Sequence, residues 1–297
     1  MTSQKFGPVE ITAIIFLLLA PLYSIGATLP VHPPLSILII ADEVNPHNLS
    51  NADLTQPEDL APALSASDSG LNIGRIRTIY SQCVDEAITA LQDSELPDVV
   101  LYFAHRAAAF CNGNNAQPTL TSLIRSGLES GMGLLALHHG LYVDFTNRGA
   151  KTELLQLIGS EADSIEWNTT DGQRVFNTGA DHFITSNGMS YENHANFSGA
   201  PGTTGGNYPY FTNVPDELYA VFRLHESPGE IRTSLFASDS GENRLLGYVL
   251  RKADWKGMVI AYQPGEYQPN ALDDRNGRNF QILVNALYFT VNGDKQN

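Results

Sequence analysis

The sequence predicts an α/β domain in which a mainly parallel central sheet is covered by helices on both faces, a three-layer sandwich. Three observations point to it. Apolar runs of strand length show no alternation with polar residues, so both faces of those strands are buried. Between them lie segments with apolar residues at helical spacing. The two kinds of segment alternate along the first half of the chain, the order that builds a parallel sheet.

The first apolar run is LSILIIAD, residues 35–42. A long Pro/Ser/Asp/Asn-rich loop follows to about residue 70. GRIRTIYS (74–81) is a second strand, and after it Val84, Ile88 and Leu91 mark one face of a helix. PDVVLYFAH (97–105) is a third strand. Leu120, Leu123, Ile124 and Leu128 mark the next helix, which Pro118 can start and Gly131 can end. GLLALH (133–138) is the fourth strand and TELLQLIG (152–159) the helix behind it. Residues 163–206, rich in Asn, Gly, Ser and Thr, read mostly as loop. Strands are expected at 218–224, 231–238, 244–250 and 256–262, and a last helix carries Phe280, Leu283, Val284, Leu287 and Tyr288 on one stripe. No repeat or Pro-rich linker divides residues 31–297, which read as one domain.

Residues 1–30 read as a signal peptide or an N-terminal membrane anchor. One lysine precedes an apolar run from Ile11 to about Ala27, interrupted by Pro21 and followed by small residues suited to cleavage. Either way the rest of the chain is expected to be exported, periplasmic or secreted, touching a membrane only through that segment. In such a setting Cys83 and Cys111, both near carboxyl ends of strands, can form a disulfide; the alternative is two separate thiols. The 17 basic and 32 acidic residues give a net charge of -15, which repels nucleic acid and anionic lipid.

Ligands of open α/β sheets bind outside the carboxyl ends of the strands. Asp42 and Glu43 end the first strand, His105 and Arg106 the third, His138 and His139 the fourth. A crevice bounded by Asp42, His105, His138 and Tyr142 is therefore expected. Side chains diverge on a turn leaving a strand, so only one of the paired histidines is expected to face it.

The turn Ala136-Leu137-His138-His139-Gly140 resembles the nucleophile elbow of class I glutamine amidotransferases, with histidine where those enzymes hold cysteine. That replacement is typical of the ThuA-like (trehalose-utilisation) family. Other stretches resemble that family in the same order: Asn45-Pro46-His47 after strand one, Asp181-His182-Phe183-Ile184-Thr185, Asp216-Glu217-Leu218-Tyr219, and Lys256-Gly257 leading into 258–262. Ala136 departs from the family's first elbow glycine, and Gly265-Glu266 stands where many members have Gly-His. The resemblance covers nearly all of residues 35–290. It implies a flavodoxin-like, class I glutamine amidotransferase-like fold and a carbohydrate or keto-sugar as the small-molecule ligand.

An elbow without cysteine excludes the amidotransferase's thiol chemistry. Imidazole and carboxylate chemistry remains, with His138, His139 and Glu217 as the candidate catalytic groups. Asp42, His47, His105, Tyr142, His182, Tyr219 and Glu266 are the expected substrate-binding residues, the tyrosines by stacking on a sugar, as Trp255 and Tyr267 also can. The same donors suit a divalent metal such as zinc, with His47, His138 and His182 as the expected ligands. Two classes of function follow: an exported enzyme using acid–base or metal-assisted chemistry on a sugar, a hydrolase or isomerase, or a non-catalytic domain that binds a carbohydrate or a protein. No Gly-rich loop follows the first strand, which disfavours a nucleotide.

Overall fold

The computed structural model describes residues 29–44, 54–142, 148–162, 167–170, 172–213, 216–219, 222–240, 244–266 and 271–293. Residues 1–28, most of the expected leader, and His47 and Tyr267 lie outside them. In chain order the elements are β1 (Leu35–Ala41), α1 (Leu60–Ser65), β2 (Ile73–Tyr80), α2 (Asp85–Gln92), β3 (Val99–Phe103), α3 (Gln117–Ser130) and β4 (Gly133–Leu137). Then come α4 (Arg148–Ile158), β5 (Ser160–Ala162), β6 (Trp167–Thr170), β7 (Gln173–Asn177), α5 (Phe183–Ser186), β8 (Asn193–Phe197) and β9 (Gly206–Asn213). The last are β10 (Asp216–Tyr219), β11 (Phe222–Leu224), β12 (Glu230–Ser238), β13 (Arg244–Lys252), β14 (Val259–Tyr262) and α6 (Arg278–Asn292).

Ten strands form one sheet in the order β2-β1-β3-β4-β14-β13-β12-β7-β9-β8. Pairing is parallel from β2 through β14. It is antiparallel from β14 onward to β8. The parallel half is the flavodoxin-like part. The change of direction has a simple cause: connections 239–243 and 253–258 are too short for a crossover, so β12, β13 and β14 must run up and down.

Alternate residues of each parallel strand face opposite layers. Ile37, Ile39, Leu101 and Leu135 point toward α1, α5 and α6. Leu38, Ile40, Val100 and Leu134 point toward α2, α3 and α4. Both sets are buried, which is why these strands lack alternation in the sequence. At the end of α3, Gly131 adopts a left-handed φ of 116° and its N–H caps the helix through the Gly127 and Leu128 carbonyls.

Residues 163–206 depart from the expected loop, because they contain β6, β7, α5 and β8 among the described residues. Strand β8 is mostly exposed and polar, so it gives no apolar signal; its stability comes from pairing with β9. A short helix, α1, also interrupts the long loop after β1, burying Leu60, Ala63 and Leu64.

Cys83 and Cys111 are joined in a disulfide across 28 positions of sequence. It ties the entry of α2 to the loop after β3, where the Cys111 N–H also donates to Asp85 Oδ2 at 2.6 Å. Closing a loop of this size restricts the unfolded chain by about 3 kcal/mol. The double variant Cys83→Ala/Cys111→Ala is therefore expected to lose about 2–4 kcal/mol in chemical denaturation under oxidising conditions. An unchanged unfolding midpoint would mean the loop is ordered equally well without the bond.

Candidate active site

The site grows from the end of β4. Leu137 pairs with Tyr262 at the carboxyl edge, and the chain then turns through a single 3-10 turn, His138–Leu141. His138 has a φ of 36°, a left-handed conformation that a non-glycine residue holds only where its surroundings enforce it. Two contacts do so here. A Cβ on Gly140 would meet the Tyr102 carbonyl oxygen at 2.3 Å, so only glycine lets the turn lie this close to β3. Lys151, buried at the start of α4, donates from Nζ to the carbonyls of Ala104, His139 and Tyr142 at 2.6, 3.1 and 2.6 Å.

This turn corrects the expectation that the two histidines diverge. Folded as a 3-10 turn instead of an extended exit, the chain brings both rings to one carboxylate. His138 Nε2 lies 3.5 Å from Glu266 Oε2, and His139 Nε2 lies 3.6 Å from Glu266 Oε1. His138 Nε2 also meets Glu217 Oε2 at 2.8 Å. Its other nitrogen, Nδ1, hydrogen-bonds to the Gln263 carbonyl at 2.7 Å. His139 stacks on Phe103, with ring centroids 4.6 Å apart. All four groups, His138, His139, Glu217 and Glu266, are buried to within 1%.

Glu217 reaches the site from β10, which pairs with β6 apart from the main sheet. Asp216, beside it, was not singled out in the sequence. Its carboxylate accepts from Asn213 Nδ2 and from the backbone N–H groups of Glu217, Gly265 and Glu266 at 2.8–3.1 Å. It thereby clamps β10 to the segment after β14. Gln263 was also missed; it gives its carbonyl to His138 and donates from Nε2 to the Glu217 carbonyl at 2.9 Å. The signal for Gln263 was only adjacency to a strand end, whereas Asp216 opens the family-like stretch 216–219.

Aromatic rings lead outward from this cluster. Tyr219 lies 5.1 Å from His138, Tyr142 stacks on Tyr219 at 5.2 Å, and His105 packs on Tyr142 at 4.6 Å. Tyr142 and His105 are partly exposed and form the rim. Asp42 is buried between β1 and β3, and its carboxylate accepts from Ser81 Oγ and from the His105 and Arg106 N–H groups. The expected crevice residues are thus at the carboxyl edge, with Asp42 holding the exit of β3 in place.

His182 is elsewhere. Its Nδ1 caps α5 by accepting from the Ile184 N–H, and its ring packs on Phe289. It lines a separate pocket with Asp181, Arg251 and Phe289. Arg251 lies beyond Leu250, which pairs with Val259 at the start of β14, so this pocket is at the amino edge of the parallel strands. A metal site joining His182 to His138 is ruled out because the two lie at opposite edges of the parallel strands. Trp255 likewise packs under the helical layer, with Lys252 over its ring.

Burial alone would lower the His138 pKa, but Glu266, Glu217 and Asp216 override it and raise the imidazole to about 9. Burial raises Asp216 to about 6 against the pull of His138 and its three N–H donors. Burial lowers Lys151 to about 7, opposed by Asp42. The Tyr219 phenol is pushed well above its ordinary value by burial and then by the neighbouring carboxylates.

Solved structures share this architecture. A ThuA-like protein from Parabacteroides merdae is 12% identical, with a TM-score of 0.55 over 88% of this chain and 91% of that one. A ThuA-like protein from Bacteroides uniformis is also 12% identical, with a TM-score of 0.50 over 88% and 92%. No family model and no curated protein matches the sequence. The class is an α/β fold with a flavodoxin-like parallel half; within it, the chain has the fold of these ThuA-like proteins.

Because its folded pKa is raised, His138 contributes stability that is fully present below its ordinary value of 6.5 and lost as pH rises through about 9. The melting-temperature gap between the parent and His138→Gln, measured in chelator, should therefore narrow between pH 6.5 and 10. The loss corresponds to on the order of 3 kcal/mol. The opposing titration of Lys151 is common to both proteins and cancels in the difference. A gap that stays constant across this range would contradict the charged pairing.

Proposed function

We propose that this protein is an exported enzyme that moves protons on a small carbohydrate or keto-sugar, with His138 and Glu217 as the acid–base pair. The observation that carries the reading is the buried 2.8 Å contact between His138 Nε2 and Glu217 Oε2 at the carboxyl edge of the sheet. A positioned imidazolium can give a proton to an oxygen that develops negative charge, and the paired carboxylate can take one up. His139 and Glu266 support the pair. Tyr219 and Tyr142 form an aromatic stack between this pair and the rim, where the partly exposed Tyr142 and His105 are the rings a sugar would meet.

The carbohydrate class is supported by the resemblance to ThuA-like (trehalose-utilisation) proteins and by this aromatic approach. Export is supported by the apolar run Ile11–Ala27 with small residues after it. Fractionation with N-terminal sequencing tests it, and a full-length chain free in the cytoplasm would refute it.

Activity is tested by screening disaccharides and their keto derivatives with the mature protein. Both groups are buried, so shape-conserving replacements are the informative ones. His138→Gln and Glu217→Gln should each lower kcat by roughly 10²–10⁴-fold, the usual contribution of a placed acid or base. Melting should remain cooperative. If both variants turn over like the parent, the assignment of this pair is wrong.

A further inference from the structure

We propose that His138, His139, Glu217 and Glu266 together bind one divalent first-row cation, with zinc as the reference ion. One nitrogen or oxygen from each of the four side chains can be chosen so that all lie within 4.8 Å of one another, and all four residues are buried. A tetrahedral zinc site with bonds of about 2.0–2.1 Å places its donor atoms about 3.3 Å apart. The contacts here, 2.8, 3.5 and 3.6 Å, bracket that spacing.

The orientation of His138 is a second, independent indication. A backbone carbonyl only accepts, so the Nδ1 atom 2.7 Å from the Gln263 oxygen carries hydrogen. The ring's remaining nitrogen, Nε2, is thereby aimed at the two carboxylates. A metal-ligating histidine characteristically has this outer bond, which fixes the tautomer and directs the free lone pair. Gln263 Nε2 in turn holds the Glu217 carbonyl, so the same residue orients two of the proposed ligands.

Charge points the same way. Three carboxylates, Asp216, Glu217 and Glu266, are buried around two imidazoles. Lys151, the ammonium on this turn, is held by three carbonyls and is subject to the field of Asp42. Burying three carboxylates this close together is costly, and a divalent ion among them would offset that cost. The donor set of two imidazoles and two carboxylates, without thiolate, suits zinc, manganese or ferrous iron better than a soft ion.

This set differs from the one expected from sequence. It keeps His138, has no place for His182, and recruits Glu266 and His139 through the 3-10 turn. The inference concerns the site of the proposed activity and rests on that reading for the ion's use, which would be to polarise a substrate carbonyl. Binding itself is measured without turnover.

The full mature chain, stripped with chelator, is titrated with zinc chloride and separately with manganese chloride by calorimetry, with metal content read by elemental analysis. One equivalent of at least one ion is expected, with a rise in melting temperature. Glu266→Gln and His139→Gln should each weaken binding by at least about 100-fold, beyond the roughly 10–100-fold that loss of an outer-shell partner causes. His182→Ala should bind like the parent. Should a variant fail to fold, cobalt in the parent decides: tetrahedral nitrogen–oxygen ligation gives intense visible bands, and a weak octahedral spectrum overturns the proposal. Absence of stoichiometric binding, or binding that survives both variants, overturns it too. Loss of turnover in His138→Gln without any bound ion would overturn the metal and leave the acid–base reading standing. An ion bound by a protein inert toward every sugar would do the reverse.

Discussion

The hydrogen bond from His138 Nδ1 to the Gln263 carbonyl joins the residues that immediately follow β4 and β14, neighbouring parallel strands at the centre of the sheet. It can form only because His138 accepts a left-handed φ and Gly140 lets the turn lie against the Tyr102 carbonyl. Once it forms, the imidazole has a single useful direction, and Nε2 faces Glu217 and Glu266. The aromatic approach through Tyr219 and Tyr142, and the placement of His139, follow from the same turn. Strain in the backbone is balanced locally by Lys151, which collects three carbonyls that the turn leaves pointing inward.

The sheet's change from parallel to antiparallel is what surrounds this turn with carboxylates. In the parallel half, the carboxyl edge holds Asp42, His105 and the two histidines. The short connection between β13 and β14 returns the chain so that Gln263, Gly265 and Glu266 emerge at that edge as well. Asp216 then fastens β10 to this segment through two hydrogen bonds, from the Gly265 and Glu266 N–H groups, which carries Glu217 into the cluster. His138 is thus oriented by a backbone carbonyl, Glu217 and Glu266 are positioned by backbone hydrogen bonds to Gln263 and Asp216, and His139 is held by stacking on Phe103. Such construction favours a site in which charge can be moved or held without rearranging the protein around it.

Much of the parallel half was legible in the sequence. Residues 35–42 and 133–138 lack alternation because Ile39, Ile40, Leu134 and Leu135 each have a helical layer on their own side, and period-free apolar runs record that directly. The polar residues ending the apolar runs marked the carboxyl edge and led to Asp42, His105 and His138, whereas Glu217 came from the family-like stretch 216–219. Strands β7 and β8 were not legible. Gln173–Asn177 and Asn193–Phe197 are short and mixed in character, and pairing with β9 and β12 makes them strands.

What the sequence by itself determined is the set of groups: two adjacent histidines after a buried strand, a Glu217 with tyrosine nearby, and a Gly-Glu pair after the last strand. Which of them meet was decided by tertiary structure. His182 and His138 are both strand- or helix-end histidines in sequence, yet they sit at opposite edges of the sheet, because α5 follows an antiparallel strand and not a parallel one. His138 and His139 read as diverging neighbours, yet they converge because one non-glycine residue is held at φ 36°. Adjacency in sequence carries no information about strand direction across the sheet or about a strained dihedral. Those depend on long-range pairing and packing, and they select which of the available imidazoles and carboxylates share one buried volume.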